Sequence, residues 1–398
     1  MYAFRKPFGA ADYQDATPYM GLAFKSALII AQVLGYATSK FIGIKVVSEL
    51  GKNGRATAIL TLMGIAHLAL LGFALSPTSI KPIFLFINGL PLGMIWGLIF
   101  SYLEGRRFTE VMGVGMCASF ALSSGLGKSV GKWLMLQGTS PYWMPFMTGA
   151  LFLPFMLLFV YMLAQIPGPT AQDIALRTER QPMNARQRLK FFNTFWPGLI
   201  LLIVMYMLLT AFRDFRDNFM AEMLMALGYG GQAGLFTATE IPVTLGVLLL
   251  LGLIMFISSN IKALLVNHAV LALGFTTIGL STLLFRLSVL PPIGWIVLTG
   301  MGAYMAYIPF NCILFERLIA SFRYVSNAGF LIYLADSFGY LGSVAVLVYK
   351  DFGQEDLAWI DFFAQGGAVV SMLGFALSGI SALYFYHKHR RWSSTGGQ

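Results

Sequence analysis

The chain has 398 residues, of which 57% are hydrophobic and only 11% charged, with a mean hydropathy of +0.72. Water-soluble domains cannot hide that much apolar surface, so a lipid solvent is implied. The net charge of +10 does not point to nucleic acid, because no basic-aromatic module accompanies it, and two cysteines are too few for a disulfide scaffold.

In chain order, the stretch MYAFRKPFGAADY opens the sequence and resembles the second half of a helix whose first half is absent. Apolar runs of about 20 residues follow, each long enough as a helix to cross a hydrocarbon core. They lie near Leu22 to Ile44, Thr57 to Leu75, Ile83 to Leu103, Val111 to Leu136 and Met144 to Ile166. A polar segment, residues 167–195, carries a PGP sequence and several arginines and reads as a linker. Six further runs lie near Trp196 to Phe219, Leu235 to Ile257, Ala263 to Phe285, Pro292 to Phe315, Val325 to Val348 and Phe362 to Tyr386, before a tail over 387–398. None shows period-2 alternation, so helices are expected and a porin-type barrel is not.

The basic residues alternate between loops. Lys52, Arg55, Arg106, Arg107, Arg177, Arg180, Arg186, Arg188, Lys190, Lys262, Arg317, Arg323 and the tail's Lys388, Arg390 and Arg391 fall on one side, against Lys81, Arg286 and Lys350 on the other. The positive-inside rule puts the first set and the C-terminus in the cytoplasm. A weak repeat joins the two parts of the chain: one spacing separates Glu104 from Glu316 and Gly127 from Gly339, and nearly the same spacing separates Gly35 from Gly246 and Arg5 from Arg213. With the central linker, this predicts two parallel six-helix bundles, residues 1–166 with an incomplete first helix and residues 196–386.

Five short motifs then line up in order. Tyr2-Ala3-Phe4-Arg5-Lys6-Pro7-Phe8, Gly35-Tyr36-Ala37-Thr38-Ser39-Lys40-Phe41, Gly93-Met94-Ile95-Trp96, Ile241-Pro242-Val243-Thr244-Leu245 and Phe338-Gly339-Tyr340-Leu341-Gly342 resemble patterns of the organophosphate:phosphate antiporters of the major facilitator superfamily. The loop from Ser48 to Arg55 is only a degenerate version of the facilitator loop, and no histidine stands near Ser123. FRKPF, SKFIG, EGR and RDFRDNF are therefore read as signatures of a separate bacterial family with the same fold. The resemblance implies an all-α, polytopic membrane protein of the major-facilitator fold with about eleven full spans plus a truncated first helix. It further implies a monomeric secondary transporter of a small solute in the bacterial inner membrane, and one arginine from each half, Arg5 and Arg213, on an anionic group.

Ionisable side chains inside a bilayer are costly and usually face a cavity or a partner. Tyr2, Arg5, Lys40, Lys128 and Arg213 are the candidate substrate ligands, and Asp217, Glu240 and Asp336 the candidate proton carriers or counter-ions. Arg213 stands in RDFRDN, where it can instead pair with Asp217 four residues on, as a structural network or a gate. A helix starting at Trp196 would put it roughly 26 Å along, nearer one face than the midplane. Glu104 with Arg106 and Glu316 with Arg317 are expected as gating ion pairs at equivalent helix ends. Lys25 and Lys132 are expected to snorkel, and His67, His268, Cys117 and Cys312 to pack. With no HExxH, GxSxG, P-loop or Cys/His metal spacing, no enzymatic activity, cofactor or metal is expected, and the partners are a small solute and the lipid bilayer, not nucleic acid. Three functions stay open: anion transport, proton-coupled transport of a neutral solute, and a transport-dead sensor or scaffold.

Overall fold

The computed structural model describes residues 1–49, 54–103, 109–167, 185–254, 256–322, 328–353 and 357–394. The chain is an all-α polytopic membrane protein. Its helices are α1 (Phe24–Glu49), α2 (Arg55–Leu75), α3 (Lys81–Leu103), α4 (Thr109–Leu136), α5 (Met144–Ala164), α6 (Ala185–Asn218) and α7 (Met220–Ala226). They continue as α8 (Leu235–Ala238), α9 (Glu240–Ile254), α10 (Asn260–Arg286), α11 (Pro292–Cys312), α12 (Leu314–Ser321), α13 (Ala328–Gly353) and α14 (Trp359–Ser394).

Among the described residues nine helical segments are long and apolar enough to cross a membrane. Two further long helices are α1, with 26 residues, and α4, with 28; polar side chains, buried Lys128 among them, dilute the hydropathy of α4. α1 packs along α3, α10 lies against α11 and α14, and α6 is flanked by α13 and α14. α4 contacts the opening turns and α5 as well as the later helices α8, α9 and α11.

The seam between α1 and α3 is built on glycine. A Cβ at Gly35 would stand 2.1 Å from the Phe86 carbonyl oxygen, and one at Gly89 would stand 2.2 Å from that of Gln32. Small residues allow this backbone approach. Gly89→Ala is therefore expected to lower the melting temperature of the detergent-purified protein by an amount equivalent to about 1–3 kcal/mol. Gly64→Ala, at a position with nothing within 4 Å, should leave it unchanged in the same fluorimetric melt.

The opening stretch departs from the expected half-helix. It forms two short 3-10 turns, Tyr2–Phe4 and Pro7–Ala10, because Pro7 has no N–H to donate and cannot continue an α-helix. The carbonyls this exposes are satisfied by side chains. Asn88 donates to the Phe4 oxygen at 3.0 Å, Gln32 to the Arg5 oxygen at 3.0 Å and Lys25 to the Gly9 oxygen at 3.0 Å, as buried backbone groups require. Phe4 and Phe8 are fully buried, and Gly127 of α4 lies against Ala3 and Tyr2. Two further expectations are corrected. α6 starts at Ala185, so that residues 185–195 of the stretch read as linker are helical, and α14 carries on through the expected tail to Ser394. Both extensions carry several Arg and Lys, which form helix readily without apolar periodicity.

Candidate functional site

The opening turns, α1, α3, α4, α6, α11 and α13 enclose a cavity of about 50 Å³ lined largely by charged and aromatic side chains. Tyr2 and Arg5 enter it from the first turn, Tyr36 and Lys40 from α1, Arg213 from α6 and Asp336 from α13. Four of the five predicted ligands thus meet at one point. Arg213 and Arg5 line the same cavity.

The three cations of the cavity are held differently. The Arg213 guanidinium donates to Asp214 Oδ1 at 2.6 and 3.2 Å and lies 3.8 Å from the centroid of the Tyr307 ring. Ser343 donates to the other oxygen of Asp214 at 3.0 Å. Lys40 pairs with Asp336 at 3.2 Å and sits 5.3–5.7 Å from the rings of Tyr36, Tyr333 and Trp96. Asp336 also accepts a short hydrogen bond from the Tyr206 hydroxyl, which shares a 3.0 Å bond with the hydroxyl of Tyr307. Arg5 is 8% exposed and lies 4.0 Å from the centroid of Tyr36. Among the described residues its Nε has no hydrogen-bond partner and no carboxylate pairs with it. Cation–π contact offsets on the order of 2 kcal/mol of such a burial, against a desolvation cost of several kcal/mol for an unpaired ion.

Lys128, the fifth predicted ligand, is elsewhere. Its ammonium bonds the Asp217 carboxylate at 2.5 Å and the Asp217 carbonyl at 2.7 Å, in a second cluster at the Asn218 end of α6. Asp217 also pairs with Lys6 at 2.5 Å and accepts from Ser124 at 2.6 Å. The expected pairing of Arg213 with Asp217 is not formed, because Asp214 is nearer to Arg213 and the two lysines already occupy Asp217. Lys25 does not snorkel: it binds both oxygens of Glu222 at 2.6 and 2.8 Å. Arg216 pairs with Glu240 at 2.8 Å and donates to the Ile296 carbonyl, lying against α11 at Gly300. Lys6, Lys25, Lys40 and Lys128 each reach a carboxylate on a helix that follows Ala185.

Sequence reasoning gave no role in this network to Lys6, Glu222 or Tyr206. The available signal was an asymmetry: the lysines of the early spans and the carboxylates of the late ones are complementary sets. Glu104 and Arg106 lie outside the described residues. Arg317 donates to Asn260 at 2.9 Å, a contact within the late helices. Of the histidines, His268 bonds the Leu264 carbonyl and Ser381, and His67 stacks on Phe146. Among the described residues no cluster of His, Cys, Asp and Glu is suited to a metal ion.

The sequence profile described as "Family of unknown function (DUF5690)" matches residues 7–388. No curated protein matches the sequence. Among solved structures, the chain is similar to the crystal structure of the nucleoside transporter NupG, with a TM-score of 0.59 and 14% identity over 97% of this chain and 96% of that one. A point mutant of NupG gives a TM-score of 0.52 and 15% identity over 97% and 94%. At this identity the likeness is one of fold, the polytopic major-facilitator-like architecture.

Proposed function

The chain belongs to DUF5690, a family of unknown function, and we propose that it is a secondary transporter moving a small anionic solute by alternating access. The observation that carries the anion is Arg5. It is the cavity cation without a carboxylate among the described residues, whereas Lys40 and Arg213 have Asp336 and Asp214. A solute carboxylate or phosphate supplies the missing countercharge. With Tyr36 over its face, the guanidinium keeps its in-plane donors for a bidentate oxyanion.

In this reading the eleven long helices and the opening turns fill the twelve positions of two bundles, residues 1–166 and 196–386, that rock about the cavity. The positive-inside rule puts the Arg186, Arg188 and Lys190 end of α6 in the cytoplasm of a bacterial inner membrane. The Asp217 and Glu222 clusters then close the outer side, and the protein works as a monomer. One water needs roughly 10–15 Å³, so a cavity of about 50 Å³ holds only a few waters. Solute entry therefore requires the lysine–carboxylate pairs between the bundles to open. A thermal-shift screen of the purified protein tests the anion. Phosphate, an organophosphate or an organic acid should raise the melting temperature, and neutral analogues should not. Stabilisation by neutral solutes alone would overturn the reading.

A second reading, proton-coupled movement of a neutral solute, is favoured by Glu240. One of its oxygens binds Arg216, while Oε2 is buried without a hydrogen-bond partner among the described residues and is free to take a proton. Glu240→Gln should then abolish uptake driven by a pH gradient in proteoliposomes and leave solute exchange intact. Unchanged gradient-driven uptake removes this reading.

A further inference from the structure

An apolar groove of about 850 Å³ runs between α6 and α13 on the outside of the helix assembly. Both walls are helices long and apolar enough to cross a membrane. Ile200, Ile203, Val204 and Met207 form one stripe of α6 at intervals of three and four residues, and Phe330, Leu334 and Phe338 form one stripe of α13. From Phe192 to Met207 the groove wall extends roughly 22 Å at 1.5 Å per residue, more than the depth of one leaflet of a hydrocarbon core roughly 30 Å thick.

A second hollow of about 470 Å³ adjoins this groove through Leu189, which lines both, and its polar lining is Arg186, Lys190, Asn193 and Thr194. The two cations stand four residues apart on one face of α6. Arg188 lines the groove itself, its guanidinium 5.9 Å from the centroid of Phe330 on the opposite wall. Among the described residues none of these three cations is paired with a carboxylate.

We infer that the two hollows together form a binding site for one anionic phospholipid. The headgroup phosphate lies between Arg186 and Lys190, with the Asn193 amide as a further donor, and an acyl chain fills the groove between α6 and α13. The complementarity is one of charge and of shape: basic residues at the level of the headgroups recognise anionic lipid, and the apolar walls of the groove pack against an acyl chain. The site is separate from the central cavity and does not depend on what the protein transports.

Native mass spectrometry of the detergent-purified protein, with phosphatidylglycerol and phosphatidylcholine of identical acyl chains added together, tests this. The wild type should retain one phosphatidylglycerol with at least roughly tenfold preference, and the triple substitution Arg186→Gln, Arg188→Gln and Lys190→Gln should abolish the preference. Val204→Trp, which fills the groove, should reduce retention of both lipids. If the triple variant does not fold, loading the wild type at rising ionic strength gives an independent reading, because screening should erase the preference. Equal retention of the two lipids by the wild type, or a preference unaffected by the substitutions or by salt, would overturn the inference.

Discussion

Asp217→Asn is expected to destabilise the folded protein by about 3–5 kcal/mol, the cost of breaking a buried ion pair by removing one partner. The geometry suggests the upper end of that range. Asp217 neutralises two ammonium groups, Lys6 and Lys128, and both are buried. Asparagine keeps an oxygen for Ser124 but turns an amide toward one lysine and leaves both charges uncompensated. The melting temperature in detergent should fall sharply, or folded protein should be lost. Adding Lys6→Met and Lys128→Met to Asp217→Leu should restore much of the loss, since replacing a whole buried charge network by apolar side chains is often neutral or stabilising. Recovery in the triple variant would identify uncompensated charge, not lost packing, as the cause. A single variant as stable as the wild type would show that the cluster does not hold the two sets of helices together.

Arg5→Met should behave in the opposite way. Arg5 has no carboxylate partner among the described residues, so its removal strands no countercharge and takes a desolvated cation out of the interior. The melting temperature should hold or rise by the equivalent of about 1 kcal/mol, as when a strained functional site is relieved, while solute-dependent stabilisation disappears. Arg213→Met provides the contrast. It strands Asp214, which among the described residues would keep only Ser343 as a donor, so it should cost both stability and solute binding. A purely structural role for Arg5 predicts instead that Arg5→Met destabilises and that anion response scales with the loss.

Much of this arrangement was legible in the sequence, for definite reasons. Run length and loop charge report the solvent around each segment, so the apolar segments could be placed within a few residues. The resemblance carried by the motif around Arg5 implied a shared site for Arg5 and Arg213, and the two side chains line one cavity. What could not be read were pairings across the assembly. Lys128 and Asp217 are 89 residues apart, and nothing local to SGLGKSVG names a partner. The rule that residues four apart on a helix interact favoured Arg213 with Asp217, but in the fold Lys6 and Lys128 reach that carboxylate first. The opening turns were also read too simply: Pro7 signals the break, but only the positions of Gln32 and Asn88 show how the freed carbonyls are satisfied.

The central claim is that a small anion crosses the membrane by way of Arg5. The most direct test is counterflow in proteoliposomes loaded with the anion that stabilises the wild type in the thermal screen. The wild type should accumulate labelled anion against an internal unlabelled pool, and Arg5→Met, reconstituted at equal density and equal melting temperature, should fall to the level of protein-free vesicles. Undiminished anion counterflow through Arg5→Met would contradict the account.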